Sequence, residues 1–467
     1  MVTTNYRGIK VSLIVISLFS IINLRFVLRD YAWADDWSFF EGYQTNSIAN
    51  RREHIVGFRP ILQIIFNLTW PRLDSINQLW ILRSIAVLGL VILASTLFLV
   101  LLGYGHSLFL SLTFSVSILF LPTFQIYQKW ATAFPYSWCA LISLLAYIAN
   151  TRSRYLVSFS LLLISFLIYQ PAATFGLIGV LIELISRKTV SRKSQSFMLQ
   201  TIVAFILATV ISRLILVMLS IEPKARSSII DTPLEVLEKM LWIATRPIPL
   251  MFRPFLFDSP SISELALTMP LWASFFFVMW QQITEKPHFV RFTLSLVLVI
   301  LLMLLPLLPI AENQIEFRVL PSTSAAGLFM ILVSLNQLLK VQVSKLSRKV
   351  VLVGIPLLFF AGYAEKTSEE IFITPYVASK AFIDAGTDSL KGDTLYYHIS
   401  YSSWPMRDFV GSPSAIYDLQ MPWVVEPMLK SFTKNKFGTF VRLDQTENIG
   451  VEFLDLDKLK KVRLNSN

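Results

Sequence analysis

Two adjacent carboxylates, Asp35 and Asp36, stand in the run Asp30-Tyr-Ala-Trp-Ala-Asp-Asp-Trp37, directly after the first long apolar segment. Acids beside a bilayer are costly unless they are solvated, paired or put to use. A solvated turn flanked by interfacial tryptophans accounts for the pair without any function. The functional alternative is a general base for a hydroxyl, or an anchor for a sugar or for a divalent cation such as magnesium or manganese. His54, between Glu53 and Gly57, could assist a base or join a metal. One histidine is not a metal site, and no cluster has metal-ligand spacing. Trp33, Trp37, Trp130 and Trp138 could stack on sugar faces, although interfacial belts explain tryptophan at such depths without a ligand. No glycine-rich nucleotide loop, zinc spacing or nucleophile elbow stands out.

The elements that must position these residues are membrane helices. The chain of 467 residues is 54% hydrophobic and only 15% charged, with mean hydropathy +0.60, whereas a soluble domain carries roughly 25% charged residues. A bilayer core about 30 Å thick needs roughly 20 apolar residues per helical span. Such runs predict an all-α polytopic membrane protein of eleven spans, at 10–28, 80–102, 106–122, 133–149, 155–169, 172–187, 198–219, 267–282, 290–309, 322–340 and 349–364. With a cytoplasmic N-terminus, basic residues fall in the cytoplasmic loops, for example Arg187, Lys188, Arg192 and Lys193, or Lys340, Lys345, Arg348 and Lys349. This is the positive-inside pattern. It explains the net charge of +11 by orientation and gives no reason to invoke nucleic acid. Cys139, the sole cysteine, lies in an apolar run and packs as a small hydrophobe.

Two loops assigned to the outer face, 29–79 and 220–266, are too long to be simple connections. In the first, Ile61–Trp70 is apolar, too short to span and bounded by Pro60 and Pro71, which suits an interfacial helix. The second holds Pro247, Pro249, Pro254 and Pro260 and reads as re-entrant or surface-lying structure. Residues 1–364 form the transmembrane unit. From 365 to 467 the composition changes, with strand-like runs at 394–400, 439–443 and 451–454 and a helical stretch at 426–434, which predicts a small extracytoplasmic α/β domain.

An aspartate pair in the first extracytoplasmic loop of a protein with about eleven spans resembles the GT-C superfamily of membrane glycosyltransferases. Within it, the chain is most similar to the bacterial O-antigen glucosyltransferases of the serotype-converting type. The residues that carry the resemblance are Ala34-Asp-Asp-Trp37, Gly57-Phe-Arg-Pro60, Tyr169-Gln-Pro171 at an outer helix turn, and Glu316-Phe-Arg-Val-Leu320 in a late outer loop. The family pattern Gly-Arg-Pro is interrupted here by Phe58.

The resemblance implies an inverting transfer of a hexose, glucose by analogy, from a polyprenyl-phosphate carrier to a glycan or glycolipid of the cell envelope such as O-antigen. It places the reaction on the outer side of the cytoplasmic membrane. Asp35 or Asp36 would be the catalytic base. Cationic clamps would hold the phosphate, and arginine suits that role because its planar fork binds phosphate oxygens in pairs. On the same face stand Arg51, Arg52, Arg59, Lys129, Arg226, Arg246, Arg253 and Arg318. Arg59, Arg253 and Arg318 are favoured, with Arg246, Tyr169 and Gln170 as further substrate contacts. The competing roles are an ion pair of Arg318 with Glu312 or Glu316, snorkelling of Arg246 and Arg253 to lipid headgroups, and helix-end capping by Gln170. A flippase or transporter of lipid-linked sugars would need charged or broken helices at the bilayer midplane, where only Arg83 and Arg213 are candidates. An O-antigen ligase or polymerase would use outer-loop arginines and histidine without the aspartate pair.

Overall fold

The computed structural model describes residues 6–29, 31–32, 35–45, 48, 52–222, 230, 232–251, 262–283, 285–310, 317–342, 394–397 and 442–445. It is built almost entirely of helices. After α1 (Tyr6–Val27), the first expected loop folds into three short helices, α2 (Asp35–Gln44), α3 (Glu53–Val56) and α4 (Pro60–Thr69). The bundle continues with α5 (Leu79–Gly103), α6 (Leu108–Ile118), α7 (Pro122–Lys129), α8 (Phe134–Thr151), α9 (Tyr155–Ile168), α10 (Gln170–Ala173), α11 (Leu177–Arg187) and α12 (Arg192–Met218). Helices α13 (Pro233–Thr245) and α14 (Pro247–Met251) occupy the second expected loop, and α15 (Ile262–Gln282), α16 (Lys286–Met303) and α17 (Pro321–Gln342) follow. Proline opens several of these helices, where its missing N–H costs nothing.

Among the described residues, five helical stretches are long and apolar enough to cross a bilayer: Ile76–Gly103, Ala131–Thr151, Arg192–Met218, Lys286–Met303 and Pro321–Leu339. A sixth arises if α6 and α7, bent by 53°, are counted as one span. By length and composition, five or six of the eleven spans expected from hydropathy are therefore found among the described residues. The expected span 106–122 breaks at Leu119–Leu121 because Pro122 begins a new helix. The expected span 172–187 is split by a tight turn at Thr174–Gly176, which leaves α11 only 11 residues long. The expected span 349–364 lies outside the described residues.

Helix α8 is the axis of the bundle, packed between α5 and α9 and buried along most of its length. Helix α17 is also mainly interior, whereas α12 and α16 turn much of their surface outward. Gly327 on α17 lets α14 approach, since a Cβ there would collide with the main-chain carbonyl of Met251. Cys139 is wholly buried in α8, its Sγ 3.2 Å from the Ser165 carbonyl oxygen and 3.3 Å from that of Tyr169.

In the expected C-terminal domain, two strands are described, β1 (Thr394–Tyr397) and β2 (Arg442–Gln445). They pair in parallel with Thr394 opposite Arg442. The remaining strand and helix expected there fall outside the described residues.

Candidate active site

The aspartates open α2, and the structure separates them. Consecutive helical residues point about 100° apart, so one carboxylate turns inward while its neighbour faces a cavity. Asp36 is fully buried. Its Oδ1 accepts the backbone N–H of Thr132 at 2.8 Å and the Thr132 hydroxyl at 2.6 Å. Charge-assisted bonds of this kind offset the cost of burying a carboxylate. Asp35 is partly exposed and lines a cavity of about 450 Å³.

Aromatic packing and amide bonds tie α2, α3 and α4 of the first loop together. The His54 ring stacks on Phe39 at 5.0 Å and meets the edge of Phe66 at 4.2 Å. Gln63 accepts the His54 backbone N–H at 2.8 Å and donates its own amide to the Tyr43 hydroxyl at 2.8 Å. The expected interfacial helix Ile61–Trp70 is α4, and it packs on α9.

Arg59 immediately precedes α4. Its neighbour Phe58 adopts φ of 60°, a left-handed conformation unusual for a bulky residue. Gln170 donates its side-chain amide to the Phe58 carbonyl at 2.6 Å, and the Ser212 hydroxyl approaches the same oxygen at 3.4 Å. Gln170 therefore lines the cavity but spends its amide on holding the Arg59 turn, a role not foreseen for it. The Arg59 guanidinium lies 4.8 Å from the centroid of the Tyr169 ring, and Tyr169 stacks on Tyr136 at 3.7 Å with an interplanar angle of 6°. The Nε of Arg59 is buried with no hydrogen-bond partner among the described residues.

Arg318 reaches the cavity from the turn Phe317–Val319. Its guanidinium lies 4.9 Å from the Trp130 ring, and its carbonyl accepts the Tyr127 hydroxyl at 2.7 Å and that of Tyr169 at 3.4 Å. The fold thus brings Asp35, Arg59, Tyr169, Gln170 and Arg318 to one cavity. His54, Glu53, Trp130 and Thr132 share it.

Among the described residues, other candidates do not line it. Arg246 is exposed at the end of α13 and does not line the cavity. Arg253, Arg51, Arg226 and Trp33 lie outside the described residues. Arg52 is exposed. Lys129 is buried, its ammonium bonded to Gln125 Oε1. Trp37 is in the core, and Trp138 donates to the Ile85 carbonyl at 3.0 Å.

Arg213 is the site residue that spacing did not assign. It stands near the C-terminal end of α12, lines the cavity and lies 4.8 Å from the Phe58 ring. The signal was present, since an arginine inside an apolar helix needs a reason. Among the described residues lining the cavity, three arginines, Arg59, Arg213 and Arg318, outnumber two acids, Asp35 and Glu53. An apolar side completes it, with Ile206 and Val210 of α12 and Leu307. Ile206 and Val210 are also among the exposed apolar residues of that helix.

Among the described residues, no group of three or more His, Cys, Asp or Glu side chains stands close enough to hold a metal ion, and the chemistry considered below uses none. Such an arrangement can do two things at once. It can bind an anion between guanidiniums, and it can offer a carboxylate to a hydroxyl, with aromatic faces for a ring to lie on. Compared with protein-family models and with curated proteins, the chain finds no match.

Proposed function

We propose that the cavity is the active site of a membrane glycosyltransferase that moves a hexose from a polyprenyl-phosphate carrier to an envelope glycan. The observation that carries this reading is the meeting of Asp35 and Arg59, from the first expected loop, with Arg318, from the distant turn Phe317–Val319, around one cavity with an apolar side. A phosphodiester-linked donor carries one negative charge, which matches the excess of guanidinium over carboxylate. Its isoprenoid tail would lie along the apolar wall of α12 and its sugar against the aromatic and acidic wall. Asp35 would take the proton of the acceptor hydroxyl as that oxygen attacks the anomeric carbon. The transition state is oxocarbenium-like, as in glycoside hydrolysis, and the phosphate departs between Arg59, Arg213 and Arg318.

In this reading the protein is an eleven-span, GT-C-like enzyme of the cytoplasmic membrane, with the cavity and the C-terminal domain on the outer side. The donor sugar is glucose by the sequence resemblance alone. A second reading, a flippase for lipid-linked sugars, is favoured by one observation, the arginine Arg213 within an apolar helix. Transfer of labelled sugar from polyprenyl-phosphate glucose to envelope glycan, in membranes with matched amounts of folded wild type and Asp35→Asn, tests the choice. Loss of at least ~100-fold in the variant is expected for removal of a general base. Equal transfer by both proteins would remove Asp35 from the chemistry. Translocation of the lipid-linked sugar with no transfer would favour the flippase.

A further inference from the structure

Behind the aspartates, one arginine joins the end of the first helix to the rest of the bundle. Arg83 lies early in α5 and is fully buried. Its Nε donates to the Val27 carbonyl at 3.0 Å, Nη1 to that of Tyr31 at 2.7 Å and Nη2 to that of Arg29 at 2.6 Å. The guanidinium carbon also lies 3.8 Å from the Tyr31 ring centroid. Val27 ends α1, where the last carbonyls lack intrahelical donors and carry partial negative charge, so the guanidinium satisfies one helix-end carbonyl and ties it to two carbonyls just beyond the helix. Lysine, a point charge on a flexible stem, cannot reproduce this three-pronged fork.

Two further bonds hold the same segment from its other side. The Tyr31 hydroxyl donates to the Lys129 carbonyl at 2.7 Å. Asp36 accepts from Thr132. One reaches the end of α7 and the other the turn before α8, so the described residues on either side of 33–34 are held by α5 and by 129–132, and Asp35 adjoins the second of these anchors.

We infer that Arg83 is a positioning residue for Asp35, setting the place of the carboxylate through the backbone of residues 27–31. The inference rests on the proposed role of Asp35 as base. It assigns work to an arginine that sequence alone offers only as a midplane charge for transport.

Arg83→Met, Arg83→Lys and Tyr31→Phe, in the full-length protein in membranes, test it. Misplacing a reacting group by about 1 Å costs on the order of 100-fold. Arg83→Met should therefore lower kcat by about 10- to 100-fold, with donor KM changed by less than about threefold. Arg83→Lys should recover little of that loss. Because Arg83 acts through Asp35, the same substitution in Asp35→Asn protein should cost nothing further. Hydrogen exchange over 27–45 should quicken in Arg83→Met and, more weakly, in Tyr31→Phe, while α8 keeps its protection.

Equal fold losses in the wild-type and Asp35→Asn backgrounds, or wild-type kcat in Arg83→Met, would overturn the inference. If wild type itself transfers no sugar, the functional reading fails and hydrogen exchange decides the clamp alone, with unchanged exchange over 27–45 overturning it. If Arg83→Met does not fold, Arg83→Lys and Tyr31→Phe carry the same comparisons.

Discussion

Replacing the two aspartates one at a time should produce opposite signatures, although they are neighbours. In Asp36→Ala, the backbone N–H and the hydroxyl of Thr132, a residue only 4% exposed, both lose their acceptor. Leaving a buried donor unsatisfied costs about 1–3 kcal/mol. Two such donors therefore put the loss at about 2–6 kcal/mol, a large share of the stability of an ordinary domain. Asp36→Asn keeps an acceptor oxygen and loses only the charge assistance, so about 1–2 kcal/mol is expected. Asp35→Ala removes a side chain from a cavity wall, where substitutions usually stay within about 0.5 kcal/mol. The assay is unfolding in detergent followed by tryptophan fluorescence, with sugar transfer measured on the same preparations. Asp35→Ala should unfold like wild type and transfer at least ~100-fold less sugar, whereas Asp36→Ala should unfold much earlier. A stable Asp36→Ala beside a destabilised Asp35→Ala would show that the assignment of anchor and base is reversed.

Three other outcomes follow from the packing and charge. Arg213→Ala removes one guanidinium from the anion-binding wall, and a lost charge-assisted bond of about 1.5–3 kcal/mol should raise donor KM by roughly 10- to 100-fold; an unchanged KM would take Arg213 out of the site. Gly327→Ala forces a methyl group into the Met251 carbonyl, so α14 must leave α17 and the yield of folded protein in detergent should fall sharply, while normal yield and activity would contradict the packing. In the loop after α11, burial pushes the Lys188 ammonium down to about 8 from an ordinary 10.5. Its folded value lies below its unfolded one, so the cost of burying the charge is fully present below about pH 8 and fades as pH approaches 10.5. Lys188→Met should accordingly raise the unfolding midpoint at pH 7 and give a smaller gain at pH 10, and an equal gain at both would be inconsistent with a charge effect.

What could be read from sequence was what depends on neighbours along the chain. The helix α4 was visible because an apolar run is bounded by Pro60 and Pro71. The aspartates and Arg318 stood out because charge at the edge of an apolar run is costly. What could not be read depends on distant partners. Asp36 is paid off by Thr132, 96 residues later, and Gln170 serves Phe58, 112 residues away. Nothing in the local pattern distinguishes that anchor from its neighbour on the cavity wall. The span count was legible only in part for a related reason, because hydropathy measures apolar length and says little of where a helix breaks. Residues 106–122 are continuously apolar enough for one span, yet Pro122 and the turn before it divide them. Arg246 and Arg318 look equivalent in sequence, and only the turn at Phe317–Val319 carries one of them to the cavity.

The seclusion of Cys139 has a practical consequence. It is the only thiol in the chain, sealed within α8 against the Ser165 and Tyr169 carbonyls, so toward a water-soluble maleimide the native protein should behave as though it had no cysteine. A reporter thiol introduced at any single loop position would then answer for that position alone, with no need to engineer the native residue away. Labelled from one side of the membrane at a time, such a set of variants would put the proposed eleven-span orientation to a series of yes-or-no readings, one loop after another.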